Sequence, residues 1–186
     1  QIGGLWDVAI LKFAGKGDKL VYATYIGGTR TEVPHSIVCT TKGELIVFGT
    51  TSSTNFPTSL TAYDRSFNGG RNVTAVSGMD YTNGSDIYLI KLSKDGTKLV
   101  GSTYVGGSDN DGINFNRSNL LLRNYGDEYR GEVVLDDNDN VYVASSTVST
   151  NFPMQNPDPL LRINFNGDIL RNNPAAALLD FFEYEN

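Results

Sequence analysis

An internal repeat, turn signals that split each copy into hairpins, and strand-length runs of consecutive apolar residues together predict an all-β chain. The expected form is a set of β-propeller blades, each of four antiparallel strands, making up part of a larger propeller. Asp7–Gly28 (DVAILKFAGKGDKLVYATYIGG) aligns without a gap to Asp86–Gly107 (DIYLIKLSKDGTKLVGSTYVGG) at an offset of 79, with 10 of 22 positions identical. Five more positions exchange one large apolar residue for another. A second block, Ile46–Pro57 (IVFGTTSSTNFP), returns as Tyr142–Pro153 (YVASSTVSTNFP) at an offset of 96, with 7 of 12 identities. Order is kept and only the spacing changes, as expected when a loop of a repeated unit is lengthened.

Each block reads as a hairpin. Val8–Phe13 and Ile87–Leu92 are short and largely apolar, and Leu20–Ile26 and Leu99–Val105 are rich in β-branched and aromatic residues. Between them lie Gly15-Lys16-Gly17-Asp18 and Lys94-Asp95-Gly96-Thr97, where Gly supplies the positive φ of a tight turn. Ser36–Thr40 and Leu45–Thr50 form a second hairpin around Thr41–Glu44, matched by Glu132–Leu135 and Val141–Ser145 around Asp136–Asn140. Two hairpins per unit make a four-stranded sheet. Its consecutive apolar positions suit a sheet covered on both faces, which is how propeller blades stack. The best helical stretch, Pro174–Leu179, is barely two turns long.

The expected organisation follows. Residues 1–35 form the second half of one blade, and residues 36–107 form a complete blade with an inserted loop at 58–84. Residues 108–186 carry an insertion at 108–125 and then a further, partial blade. Phe165–Asp168 echoes Phe67–Gly70, and Asp180-Phe181-Phe182 faintly echoes the Asp7 strand. A closed propeller needs about four blades or more, so the other blades of the same propeller are the first expected partners.

Composition narrows the function classes. With 39% hydrophobic and 19% charged residues the chain suits a packed domain rather than a disordered tail. A net charge of −6, spread along the sequence, argues against a nucleic-acid partner, because phosphates are bound by Lys and Arg. No run of eighteen apolar residues marks a membrane span. The single cysteine, Cys39, lies in an apolar run and reads as a small core residue. Gln1–Gly4 lacks the basic and apolar regions of a signal peptide, so if the protein is exported its signal is expected outside this sequence.

The strands Asp-Val-x-x-x-Lys-Phe and Leu-Val-Tyr-x-Thr-Tyr-Ile-Gly-Gly and the Thr-Ser-x-Thr-Asn-Phe-Pro tail resemble the bacterial SBBP-type β-propeller repeat. The resemblance covers roughly Leu5–Pro57 and Gly78–Pro153; Thr58–Ser77, Ser108–Asn124 and the tail after Pro153 depart from it. It implies a secreted or cell-surface bacterial protein, similar to cargo of the type IX secretion system and to gliding-associated adhesins. It implies a non-enzymatic interaction or structural role and carries no catalytic residues over.

The candidate sites lie mostly outside the repeat. Asn114, Phe115, Arg117 and Tyr125 on the long insertion, with Tyr63, Arg65 and Tyr81 on the other, combine amides, cations and aromatics as surfaces that read a protein or a surface glycan do. Asp109 with Asp111, and Asp136 with Asp139, are candidate Ca²⁺ ligands, since clustered carboxylates on turns suit a hard cation. Against this, Asp136–Asn140 sits where the other copy has an ordinary hairpin turn, and Asx residues are good turn formers. No other cofactor is expected. His35, the only histidine, falls outside the repeat and gives little basis for a catalytic triad. Asn55-Phe56-Pro57 and Asn151-Phe152-Pro153 read as structural, with Phe anchoring a strand exit in the core and Pro ending the pairing. Two other readings stay open: a carbohydrate-binding or carbohydrate-cleaving propeller, and a cargo chain held by outer-membrane secretion machinery.

Overall fold

The structure, a computed structural model, describes residues 3–75, 78–113 and 131–153. Among these residues every regular element is a strand and all strand pairs are antiparallel. No helix among them is long and apolar enough to cross a membrane. β1 (Val8–Phe13) and β2 (Leu20–Ile26) form one hairpin. β3 (Glu32–Cys39), β4 (Leu45–Thr51), β7 (Asp86–Leu92) and β8 (Leu99–Val105) form a four-stranded sheet in that order. β5 (Val73–Thr74) and β6 (Asp80–Tyr81) make a short hairpin inside the 58–84 insertion. β9 (Glu132–Leu135) and β10 (Val141–Ala144) form the last hairpin.

The four-stranded sheet begins at Glu32, four residues before the sequence-based boundary at Ser36. Pairing of Glu32 with Thr51, Val33 with Thr50 and Pro34 with Gly49 carries β3 past an irregularity at His35. Pro34 interrupts no ladder, because β3 is an edge strand whose outer side needs no donor.

Alternation sorts the apolar residues of this sheet onto two faces. Val47, Tyr88, Ile90, Leu92 and Tyr104 point to one face and pack with Val8, Ile10 and Ile26 of the β1–β2 hairpin. Ile46, Phe48 and Ile87 point to the other face and pack with Val133 of the β9–β10 hairpin. Hairpin, sheet and hairpin thus stack in three layers, and central strands β4 and β7 are buried on both sides. Each large side chain so buried contributes roughly 1.5–3 kcal/mol. A third cluster, Val73, Ala75, Tyr81 and Ile113, seats the insertion.

Phe56 anchors the exit of β4 as the sequence suggested. It is buried, stacks on Tyr88 at 4.8 Å between ring centroids, and its N–H donates to Tyr104 Oη at 2.8 Å. Phe152 packs in turn against the second cluster. Cys39 departs from expectation: it ends an edge strand, where nothing covers it, and is exposed. Pro174–Leu179, Phe165–Asp168 and Asp180–Phe182 lie outside the described residues.

Candidate functional site

The two repeated blocks meet. Where β2 leaves its hairpin, Gly27-Gly28-Thr29 turns toward β3. Where β4 leaves the sheet, Thr51-x-Ser53-x-Asn55 comes alongside. Gly28 N–H donates to Glu32 Oε2 at 2.9 Å, and Thr51 Oγ1 donates to Glu32 Oε1 at 2.6 Å. Arg30 N–H donates to Ser53 Oγ at 2.9 Å, and the Thr29 N–H and hydroxyl both donate to Asn55 Oδ1 at 3.0 Å.

The same bonds recur after β8. Gly107 N–H donates to Asp111 Oδ2 at 2.7 Å, and the Thr147 hydroxyl donates to Asp111 Oδ1. Asp109 N–H donates to Ser149 Oγ at 2.9 Å, and Ser108 donates to Asn151 Oδ1 at 2.8 Å from its N–H and 2.9 Å from its hydroxyl. The backbone repeats as well: Glu32 N–H donates to Trp6 O, and Asp111 N–H to Ser85 O, each at 2.8 Å. Every partner on the first side shifts by 79 and every partner on the second by 96. This clasp joins the loop leaving one hairpin to the tail leaving the next.

The clasp explains the paired glycines. A Cβ at Gly106 would lie 2.6 Å from Asp86 Oδ1 and 3.0 Å from Asp111 Oδ2. A Cβ at Gly107 would lie 2.7 Å from Asn151 Oδ1 and 2.8 Å from Ser149 Oγ. Gly27 and Gly28 meet the matching atoms of Glu32 and Asn55 at 2.6 and 2.7 Å. Only a residue without a side chain lets the backbone come this close.

The carboxylates of the clasp are buried: Glu32 is 2% exposed, and Asp86 and Asp111 are fully covered. Burial raises the pKa of Glu32 and Asp111 above the usual carboxylate range. It pushes Asp86 up to about 7, even though Asn68 and Gly69 N–H both donate to it, at 2.6 and 2.9 Å. These groups hold backbone in place. Their oxygens face donors of the protein itself, a geometry suited to joining sheets.

The candidate Ca²⁺ ligands do not converge. Asp109 forms an ion pair with Arg71 at 3.0 Å, while Asp111 turns inward into the clasp. Asp136 caps its own turn, accepting from the N–H groups of Asn138 and Asn140 at 2.9 and 2.8 Å. Asp139, at φ 62°, occupies the left-handed turn position held by Gly43 in the other copy and accepts from Thr41 N–H at 2.9 Å. Among the described residues no three His, Cys, Asp or Glu gather as a metal site.

Tyr63 is exposed on the 58–84 insertion, as is Arg65. Tyr81 is corrected from a surface contact to a core residue. It is fully buried among Val73, Ala75 and Ile113, with its hydroxyl 3.1 Å from Thr50 Oγ1, and has no face to offer a partner. Asn114, Phe115, Arg117 and Tyr125 lie outside the described residues. His35 packs edge-on against Phe48 at 5.2 Å, and burial lowers its pKa to about 4, so it is neutral at physiological pH.

The sequence exposed the clasp's parts without their meeting. Its signal was the joint recurrence of Gly-Gly with a following acid and of Thr-x-Ser-x-Asn.

The chain matches no model of a known protein family and no curated protein.

Proposed function

We propose that the chain is a section of a β-propeller and serves as a non-catalytic structural and interaction module of a secreted or cell-surface bacterial protein. One observation carries the reading. A four-stranded antiparallel sheet is covered on each face by a hairpin equivalent to half of itself, and the same clasp makes both joints. Consecutive blades stacked around an axis would bury a sheet in this way, which supports the reading. The buried acids of the clasp are engaged with donors at the joints, and the one histidine is packed against Phe48, which supports the non-catalytic reading.

The surface location rests on the resemblance of the repeat to bacterial extracellular propellers. For contact with a partner, a protein or a surface glycan, the 58–84 insertion offers exposed Leu60, Tyr63 and Arg65 beyond the stacked sheets.

A glycan array and a panel of chromogenic glycoside and ester substrates test this reading. The expectation is no turnover with any substrate, and any glycan signal lost in a Tyr63→Ala/Arg65→Ala variant of unchanged melting temperature. Turnover above background that survives repurification overturns the non-catalytic assignment. Antibody labelling of intact source cells tests the location: label that appears only after lysis contradicts it.

A further inference from the structure

The four hairpin turns stand at one end of the stack, away from the clasps. In the central sheet Cys39 pairs with Leu45 and Leu92 with Leu99, so the turns at Thr41–Glu44 and Lys94–Thr97 leave on the same side. The outer hairpins bring their turns to that end as well. Lys12 Nζ, beside the β1–β2 turn, donates to Lys94 O at 3.3 Å, and Thr41 N–H donates to Asp139 Oδ1 of the β9–β10 turn at 2.9 Å.

This end holds every lysine of the sequence. Lys12, Lys16 and Lys19 surround the first turn, Lys42 sits on the second, and Lys91, Lys94 and Lys98 surround the third. The repeat places two of them twice: Lys12 is equivalent to Lys91, and Lys19 to Lys98, at the 79 offset. Few acids on these three turns answer them. Glu44 pairs with Lys91 at 2.7 Å. Asp95 is taken up by its own turn, accepting from Ser93 Oγ at 2.6 Å and Thr97 Oγ1 at 2.8 Å. Lys16, Lys19, Lys42, Lys94 and Lys98 are exposed, and none of them forms an ion pair among the described residues. Arg30, Arg65 and Arg71, the described arginines, lie outside the turns.

We propose that this lysine end binds an acidic polysaccharide, one that carries carboxylate or sulfate groups along its chain. Ammonium groups on turns of two stacked layers do not converge on one small ion. Stacked sheets lie about 10 Å apart, so the layers present positive charge at intervals, as a polymer with repeated anions requires. Lysine is a flexible, strongly hydrated point charge, suited to a hydrated chain rather than to the fixed fork geometry that arginine reads.

The turn tips separate the kinds of polyanion. Gly15–Asp18, Thr41–Gly43 and Lys94–Thr97 hold no aromatic ring to stack on a nucleobase and no large apolar side chain to enter a bilayer. The β9–β10 turn, with Asp136, Asp137 and Asp139, bounds the surface on one side and confines an anionic chain to the first two layers. The proposal rests on the surface-module reading for the place where such a glycan is met. It goes beyond that reading by assigning a second contact, apart from the 58–84 insertion, and its chemical class.

The test passes the whole chain over immobilised polygalacturonate and dextran sulfate at about 10 mM ionic strength, where screening is weak. Neutral dextran, single-stranded DNA and phosphatidylglycerol vesicles are run beside them. The expected result is retention on an acidic polysaccharide, none on dextran, and release by about 0.5 M salt. Lys16→Gln/Lys94→Gln and Lys19→Gln/Lys98→Gln, each with the parent's melting temperature, are expected to weaken binding about tenfold or more. Arg30→Gln/Arg71→Gln removes the same charge elsewhere and should stay within about twofold. No retention on either acidic polysaccharide overturns the proposal, as do lysine variants that bind like the parent or an arginine variant that loses as much. Tighter binding to DNA or to vesicles than to both polysaccharides overturns it as well, by moving the surface to another polyanion. Intact-cell labelling reads the surface location independently, so label on intact cells without retention strikes the lysine end alone.

Discussion

Asp111 holds the backbone N–H of Gly107 at 2.7 Å, at the point where one sheet passes the chain to the next. Glu32 does the same for Gly28 at 2.9 Å. The acid differs by a methylene between the two joints, yet the donors around it are the same in kind: a glycine N–H, a threonine hydroxyl and, beside them, a serine. A buried carboxylate is costly unless its oxygens are met by donors, and a charge-assisted bond contributes roughly 1.5–3 kcal/mol.

Asp111→Ala leaves the Gly107 N–H and the Thr147 hydroxyl without their acceptor, while the Ser149 hydroxyl keeps Asp109 O at 2.8 Å. The expected loss is about 2–4 kcal/mol, read as a lower denaturant midpoint with an unchanged slope. Asp111→Glu, which supplies the acid found at the first joint, recovers part of it. An Ala variant as stable as the parent would mean that the clasp does not hold the sheets together.

Gly106→Ala and Gly107→Ala each drive a methyl into carboxylate or amide oxygens of the clasp. Both variants are expected to lose on the order of 2 kcal/mol or more. Gly15→Ala, where a Cβ meets nothing within 4 Å, is the control and stays within about 0.5 kcal/mol. Thermal unfolding of the three variants side by side reads the difference.

The buried acids give stability a definite sign with pH. Asp86 is pushed to about 7, above its ordinary value, and burial raises Glu32 and Asp111 in the same direction. A group whose folded pKa lies above its unfolded one favours the folded state most at low pH. That contribution is complete below the unfolded carboxylate range and is lost as pH rises through about 7. Unfolding free energy is therefore expected to fall by up to about 3 kcal/mol between pH 4 and pH 8 from Asp86. Asp86→Asn, measured over the same range, should flatten the curve; a profile of unchanged slope in the variant would assign the pH dependence to other groups.

Phe48→Ala removes the largest side chain between the central sheet and the β9–β10 hairpin. A loss of about 3–5 kcal/mol is expected. Hydrogen exchange should show amides of β9 and β10 losing protection ahead of those in β1 and β2, because the first core cluster is untouched. Uniform loss across both hairpins would mean that the layers do not open separately.

The hairpins were legible because each carries its own evidence: turn glycines between strand-length apolar runs, repeated twice. The two-faced burial of β4 and β7 was legible in their consecutive apolar residues. The clasp was only half legible. Gly-Gly and Thr-x-Ser-x-Asn recur at different offsets, and nothing in a linear reading says that one block's loop bonds to the other's tail. Glu32 and Pro34 fell before the strand read from Ser36, since a buried acid and a proline are poor strand residues until the clasp satisfies one and an edge position admits the other. Tyr81 read as a surface aromatic because it stands among polar neighbours in an insertion. Its burial depends on Val73 and Ile113, which arrive from either side of the central sheet's second half. The Asp109–Asp111 pair read as a metal candidate because spacing alone does not show that one carboxylate turns to Arg71 and the other into the protein.

The central claim is that one sheet is covered on its two faces by its own repeat halves. Methyl-labelled NOE spectroscopy tests it directly. The account predicts contacts joining Val8, Ile10 and Ile26 with Val47 and Ile90, and a separate set joining Val133 with Ile46 and Ile87. The absence of either set, or contacts running directly from Ile10 to Val133, would contradict it.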